Sequence, residues 1–550
     1  MNAETYPGKG LSLSQLIFAL NQELKRAAYS PSFTFDNVSQ FDQDISIALA
    51  TTREWRNSLL GINRIPLDIL SLIPTYLSFQ SERLCASSVC RHWRRTFLQR
   101  VELWSKLILS NGKTCLKTFL ERAKGSALDI VVNHRVAVST MALLSPHTKR
   151  FRSLEFSCNE WTEIQRFSEV NPGPLPLLHV LAIDLADDID AGTPPPPTLF
   201  RNARNLRVLR FHSRRSHSFT CFVFPWLVSF DFSTRPREGF FTSQLLDFLE
   251  ASPTLRTVRI KVHAEVSFAG VPQGRIVILP NVENLNLTVS DAGPGYKIAT
   301  HLSCPAAAFT SLTHRKGADN VVPHVIFPAS ALWSAIVHQH TRSPVEEITL
   351  EIKVTLFVTC KLTFRSADAT LIELCFEVYD RPVPGFYIPS EDMQKELITQ
   401  STRTIRDHPQ LAGVKRLRIC HSLRSVQTSY IADEVGQLLR SMGPLEELVI
   451  HDCDIRPYFD PFPILPEDFV KEPVVFPPIK ELTISHPEYL SDEQCKAAIL
   501  GLARSQHELG TPFGHVVIRK ESIPLGMEEE LKQWVGSVEC CRERLESDYD

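Results

Sequence analysis

Asp184, Asp187, Asp188, Asp190 and Gly192 form an acidic run of the kind that ligates calcium through carboxylate oxygens. A calcium loop needs one more acidic ligand and a Glu at its twelfth position, and counting from Asp188 that place holds Leu199. The run reads as a solvated loop. His338-x-His340 offers two imidazoles with no third ligand nearby, which fits an exposed helix end. Gly293-Pro294-Gly295-Tyr296-Lys297 lacks the glycine spacing and the Ser/Thr of a phosphate loop, and no Gly-x-Ser-x-Gly elbow occurs. Cys85 with Cys90 lacks zinc spacing, and Cys540-Cys541 has no partner motif. These patterns predict no enzyme, no cofactor and no metal.

The chemistry this chain does carry is desolvation, between Ile62 and Leu107. Pro66 suits the first turn of a helix, where its missing N–H costs nothing. Ile69, Leu70, Ile73 and Leu77 then recur at the spacing of one helical face. A second short helix around Glu82–Ala86 presents Leu84. In a third, Val89, Trp93 and Phe97 fall four apart, with Cys90 beside them and Arg91, Arg94 and Arg95 on the other side. Trp104 and Leu107 close the unit. A unit this short carries more apolar surface than it can hide and usually needs a partner. Its face reads as a docking surface anchored by Pro66, Ile69, Leu70, Ile73, Leu77, Leu84, Val89, Cys90 and Trp93. Arg91, Arg94, Arg95 and Arg100 do not make a nucleic-acid patch on this reading, because Trp93 and Phe97 belong to the packed face and cannot stack on bases.

These residues resemble an F-box. The family pattern is met by Ile65-Pro66, Asp68-Ile69-Leu70, Ile73, Tyr76-Leu77, Val89-Cys90-Arg91-His92-Trp93-Arg94 and Leu103-Trp104, in order and with the family spacing. Pro74 stands where the family has Phe, and a proline there removes a helical hydrogen bond, so the first helix is expected to end a turn early. The resemblance implies an all-α unit over 61–110 that docks a Skp-type adaptor, and through it a cullin scaffold of the ubiquitin-conjugation pathway. The nine anchors would be the adaptor-binding set.

Composition sets the wider bounds. Hydrophobic residues make up 43% and charged residues 22%, ordinary for a folded protein, and a net charge of −3 argues against a nucleic-acid or membrane-surface binder. The F-box-like stretch is locally basic, with seven Lys/Arg against three Asp/Glu. That asymmetry suits steering of an acidic partner. Thirteen cysteines lack paired spacings. Leu11–Leu20 is broken by Ser12, Ser14 and Gln15, and followed by Glu23, Lys25 and Arg26, unlike a secretory signal. The expectation is reduced thiols in an intracellular protein of the cytoplasm or nucleus, with no membrane partner.

The elements that must position the docking face begin with an N-terminal helical segment, 1–60, read as helices over Leu11–Ala28 and Phe41–Leu60. Leu13, Leu16, Ile17, Leu20 and Leu24 share one face there. This segment reads as a packing arm rather than a separate dimerisation element. After Leu107 a pattern of apolar-x-x-apolar-x-apolar recurs every 21 to 34 residues, as in Leu178-x-x-Leu181-x-Ile183, Leu206-x-x-Leu209-x-Phe211 and Leu445-x-x-Leu448-x-Ile450. Pro176, Pro225, Pro253, Pro280, Pro444 and Pro478 stand four or five residues before the centre of such units, where proline stops a helix and enters a strand at an edge. Amphipathic helices alternate with the strands.

Units of this kind stack into a solenoid with a parallel sheet on one side. The chain from 111 to 550 is similar to leucine-rich-repeat proteins, with irregular turns. The fold class is therefore α/β, a short all-α F-box-like unit followed by an irregular leucine-rich-repeat-like solenoid. Ile348–Tyr379 alternates apolar and polar residues without a helix and predicts a β-hairpin excursion over 348–379. Asp291–Pro323 reads as loop-rich, with Phe309-x-x-Leu312 as a degenerate repeat inside it.

Two functions follow. In one, the chain is the substrate-recognition subunit of a Skp–cullin–F-box type ubiquitin ligase, holding an unknown target protein on its repeats. In the other, it is a repeat scaffold uncoupled from ubiquitination. The predicted target-binding residues are Arg207, Arg210, Arg256 and Arg259 on the early strands, with Glu347 and Glu447 later, so that the face grades from basic to acidic.

Overall fold

The computed structural model describes residues 13–30, 34–77, 80–109, 113–133, 135–158, 161–185, 200, 203–213, 224–234, 240–262, 266–267, 270–272, 274–290, 294–305, 307, 309–317, 344–354, 357–366, 371–379, 399, 401–403, 405–406, 413–422, 429–451, 477–485, 492–519 and 526–541. The acidic positions Asp187, Asp188 and Asp190, the His338-x-His340 pair and Gly293 lie outside them. The chain divides into two compact units: residues 1–107 with 118–126, and residues 108–117 with 127–550.

The first unit is helical: α1 (Leu13–Ala28), α2 (Phe35–Ser58), α3 (Leu67–Leu70), α4 (Gln80–Ser87), α5 (Arg91–Gln99) and α6 (Glu102–Ser105). Helix α2 begins at Phe35, six residues earlier than the periodicity suggests, because Asp36 in the first turn complements the helix dipole. Its outward face keeps Val38, Ile47, Leu49 and Trp55 exposed.

The second unit is built on one sheet. Its strands are β1 (Lys106–Leu109), β2 (Leu128–Asn133), β3 (Phe151–Cys158), β4 (Val180–Leu185), β5 (Val208–Ser213), β6 (Ser229–Thr234), β7 (Thr257–Val262), β8 (Asn284–Ser290), β9 (Phe309–Gly317), β10 (Val345–Val354), β11 (Phe357–Ser366), β12 (Leu371–Tyr379), β13 (Arg416–Ser422), β14 (Leu445–His451), β15 (Ile479–Ser485), β16 (His515–Arg519) and β17 (Ser537–Cys541). From β2 onward, strands pair in chain order and in parallel up to β9. There β9 pairs with β12 in parallel, β11 lies antiparallel between β12 and β10, and β10 passes on to β13 in parallel. Parallel pairing then continues from β13 to β17. The alternating segment after Ile348 is therefore three full strands of the same sheet, of which one, β11, is inverted. Within the Asp291–Pro323 stretch, the degenerate repeat Phe309-x-x-Leu312 lies on strand β9.

Burial sets the register. Val132, Phe156, Ile183, Phe211, Phe232, Ile260, Leu287 and Leu312 are successive partners. From the inverted strand onward the row resumes as Leu362, Leu350, Ile419, Ile450, Ile484 and Ile518. All fourteen side chains are at most 2% exposed. A slip by one residue would turn the whole row to the opposite face, so the register is strongly specified. Helices cover this face: Phe167 of Trp161–Val170 meets Phe156 edge-on at 5.2 Å, and Phe248 of Thr242–Glu250 lies 4.6 Å from Phe230.

The recurring prolines have a second role beyond stopping helices. The carbonyls of Pro176, Pro225 and Pro253 each accept a hydrogen bond from a polar side chain of the following unit: Asn205 at 2.7 Å, Thr254 at 2.9 Å and Asn281 at 3.0 Å. Backbone bonds lock the same turns, with the Arg207 N–H donating to His179, Val228 to Arg207, Arg256 to Val228 and Glu283 to Arg256. Backbone polar groups of the turns thus find partners in the neighbouring unit.

Candidate docking surfaces

The first candidate site is built on α3 to α6. Pro66 caps α3 in extended conformation, its carbonyl accepting from the Leu70 N–H at 2.8 Å. The helix ends at Leu70 and the chain re-forms a 3₁₀ turn, Ile73–Tyr76, with Pro74 at its second position. Proline disfavours helical conformation in the residue before it and supplies no N–H. The expected single face of Ile69, Leu70, Ile73 and Leu77 is broken accordingly. Leu70 is 0% exposed and joins the core, while Ile69 beside it is 49% exposed.

Trp93, 7% exposed, stacks on Phe97 at 5.6 Å, and the indole N–H of Trp104 donates to the Phe97 carbonyl at 2.9 Å. Phe119 meets Trp104 edge-on at 5.0 Å, and the Arg122 guanidinium lies over the same indole at 4.4 Å. Of the nine predicted anchors, Leu70 and Trp93 therefore form the interior. Pro66, Ile69 and Val89 are exposed, and Ile73, Leu77, Leu84 and Cys90 are half-buried. Leu67, Leu72 and Tyr76 are exposed apolar residues of the same stretch that a single-helix reading missed. Only the proline break after Ile73 signals them.

Arg83 was missed too. It is buried, and its guanidinium donates to the carbonyls of Leu77 at 3.1 Å, Leu103 at 3.1 Å and Lys106 at 3.4 Å. Desolvation pushes its pKa below the ordinary arginine value. Such a group is tolerated because backbone acceptors replace its lost water. Between α2 and the start of α5 lies a groove of about 390 Å³ lined by Arg53, Glu54, Val89, Cys90, Arg91 and Arg94, among others. Across it Arg91 pairs with Glu54 at 3.2 Å.

The second candidate site is the sheet face opposite the apolar row. Arg210 and Arg259 are exposed on it, at successive positions flanking Asp231. Arg207 and Arg256 stand before their strands and brace the next turn. Arg207 donates to the Trp226 carbonyl at 2.8 Å and Arg256 pairs with Glu283 at 3.3 Å. The expected grading from basic to acidic does not hold on this face, since exposed Glu155 and Asp184 on β3 and β4 precede the basic strands. Glu347 is 7% exposed and lies against Arg418 at 3.5 Å and Arg416 at 3.8 Å, a partnered group rather than an open one.

Burial raises the Cys158 thiol far above its ordinary value and pushes Cys304 up to about 12. The described cysteines form no disulfide. Among the described residues no group of three His, Cys, Asp or Glu side chains could hold a metal ion, and no helix is long and apolar enough to cross a membrane.

Short helices closed by Leu103-Trp104 thus leave Leu67, Ile69 and Val89 outward. Residues 62–110 match the family of F-box-like domains. The chain thus contains an F-box-like domain, a kind of domain that generally binds Skp-type adaptors and that occurs in proteins typically acting as adaptors without catalysis. No curated protein matches the chain.

Proposed function

We propose that this chain is the substrate-recognition subunit of a Skp–cullin–F-box type ubiquitin ligase. The observation that carries the reading is the sidedness of the F-box-like stretch. Leu70, Trp93, Phe97, Leu103 and Trp104 form its interior, while the large side chains of Leu67, Ile69, Leu72, Tyr76 and Val89 stay exposed. Clustered apolar exposure of this kind marks an interaction site. Seven basic residues along the stretch favour an acidic adaptor.

Residues 111–550 form, on this reading, an irregular leucine-rich-repeat-like solenoid, supported by strands that pair in chain order on both sides of the β10–β12 inversion and share an apolar row. The target rests on its open face. The chain acts through proximity alone: tethering raises the effective concentration of a target lysine near a thioester formed elsewhere in the assembly. The lack of a disulfide among the described cysteines agrees with an intracellular setting.

The test is co-expression of the full chain with a Skp-type adaptor and a cullin, against Val89→Asp. The expected result is an adaptor–cullin complex with the parent and its loss with Val89→Asp, at unchanged helical content. Adaptor capture by both proteins would refute the docking face. A parent that binds the adaptor but never recruits the cullin would be a scaffold uncoupled from ubiquitination.

A further inference from the structure

Strand register places the residues opposite the apolar row on β3 to β8 in rows, exposed or half-buried apart from the buried Thr288. One row runs Glu155, Ala182, Arg210, Asp231, Arg259 and Asn286. The next runs Ser157, Asp184, His212, Ser233, Lys261 and Thr288. Arg210, Arg259 and Lys261 are exposed and make no ion pair among the described residues. Asp231 is held by His212, whose Nε2 lies 3.9 Å from the carboxylate. That contact is the leading cause of a carboxyl pKa below the usual range, with Lys261 and Arg259 adding to it. The patch is thus an alternation of charge: negative on β3 and β4, then two outward arginines flanking a carboxylate.

Adjacent strands lie about 4.8 Å apart, so Glu155, Arg210 and Arg259, each two strands from the next, are spaced by roughly 10 Å. An extended peptide advances about 3.3 Å per residue, and roughly 10 Å is three residues. Resting on the reading of the sheet as the target-binding part, we propose that this face takes an extended acidic segment of the target protein, running across the strands, with a basic residue over Glu155 and acidic residues three and six positions further on over Arg210 and Arg259. Lys261 supports the second acidic position from the next row. Asp231 faces the intervening residues, where backbone N–H groups supply donors. A nucleic acid fits less well. The register positions around the arginines are Val208, Ser229, Thr257, Asn284 and Ser233, with the imidazole of His212 as their aromatic ring; that imidazole already faces Asp231 at 3.9 Å, and Asp231 repels a continuous phosphate line.

The experiment is selection of displayed random 12-residue peptides on the full chain and on two variants, Arg210→Glu/Arg259→Glu and Arg210→Gln/Arg259→Gln. The parent should enrich a basic residue followed at three and six positions by Asp or Glu, read in either chain direction. The Gln pair should weaken a selected peptide about tenfold, the order expected for two exposed ion pairs. The Glu pair should select basic residues at the two acidic positions. No acidic enrichment by the parent, or the same peptides selected by the Glu pair, would overturn the proposal. Arginine-dependent binding of a labelled 12-nucleotide uridine oligomer in preference to the selected peptides would overturn it as well. Adaptor capture, scored on the same preparations, reports separately on the F-box-like domain, because neither variant touches it.

Discussion

Ile69 and Leu70 are neighbours in sequence with opposite sides of the F-box-like unit, and exchanging each for Ala separates folding from docking. Leu70 is 0% exposed, so Leu70→Ala deletes about three carbon groups from a closed interior. At about 0.8 kcal/mol for each group, plus the cavity left behind, the cost is about 3 kcal/mol, within the ~2–5 kcal/mol found for such truncations. Ile69 is 49% exposed, so roughly half of its transfer energy is still unspent in the free chain, and Ile69→Ala should cost about 1 kcal/mol or less. The order reverses on docking. Covering the outward half of Ile69 is worth about 1 kcal/mol by area, or ~2 kcal/mol if it sits at a well-packed centre, a roughly 5- to 30-fold loss of adaptor affinity on truncation. Urea unfolding followed by the fluorescence of Trp93 and Trp104 reads the first effect, and calorimetric titration with a Skp-type adaptor at a temperature where both variants are folded reads the second. Equal loss of stability in the two variants would refute the sidedness. A folded Leu70→Ala with weaker adaptor binding than Ile69→Ala would refute the assignment of docking to the outward residue.

Two further outcomes follow from groups buried elsewhere. Arg83→Met should destabilise the F-box-like unit by about 2–4 kcal/mol, because the carbonyls of Leu77 and Leu103 lose their charged donor inside the protein, and denaturant midpoints will show it. Cys304, with its thiol raised to about 12 by burial, should stay unalkylated by iodoacetamide at pH 8 in the native protein, while exposed Cys85 and Cys115 react. Burial disfavours the thiolate, so Cys304 labelling should rise only as pH approaches about 12 or as the unit unfolds, which peptide mass spectrometry resolves. Native labelling of Cys304 at the rate of Cys85 would contradict its burial.

Residue order alone carried the local patterns. Leu-x-x-Leu-x-Ile triplets mark strands because alternate residues share a face, and their register partners, Leu181 with Leu209, Phe230, Val258 and Leu285, are the very centres that the triplets identify. The F-box-like motif was legible for the same reason: its Pro66, Val89-Cys90-Arg91-His92-Trp93-Arg94 and Leu103-Trp104 are short-range features that keep their spacing whatever the surroundings.

What the tertiary structure decided is which side each residue faces and which distant groups meet. Neighbouring residues of a helix point about 100° apart, so Leu70 can turn inward while Ile69 stays outward, and which of the two is covered is set by what packs against the helix; Pro74 then sets Ile73–Tyr76 apart as a 3₁₀ turn. Arg83 is indistinguishable in sequence from the other arginines of its stretch, and only the convergence of the Leu77, Leu103 and Lys106 carbonyls gives it a buried place. Arg207 and Arg210 look equivalent along the chain, yet one lies before the strand and bonds the next turn while the other projects from the open face beside Asp231. Strand β11 runs against its neighbours because the short connections on either side permit only a hairpin, whereas parallel neighbours need a longer crossover. The sequence determined which segments become strands and helices, through periodic burial; the tertiary structure determined which polar groups remain free for a partner, because that depends on contacts between residues tens of positions apart.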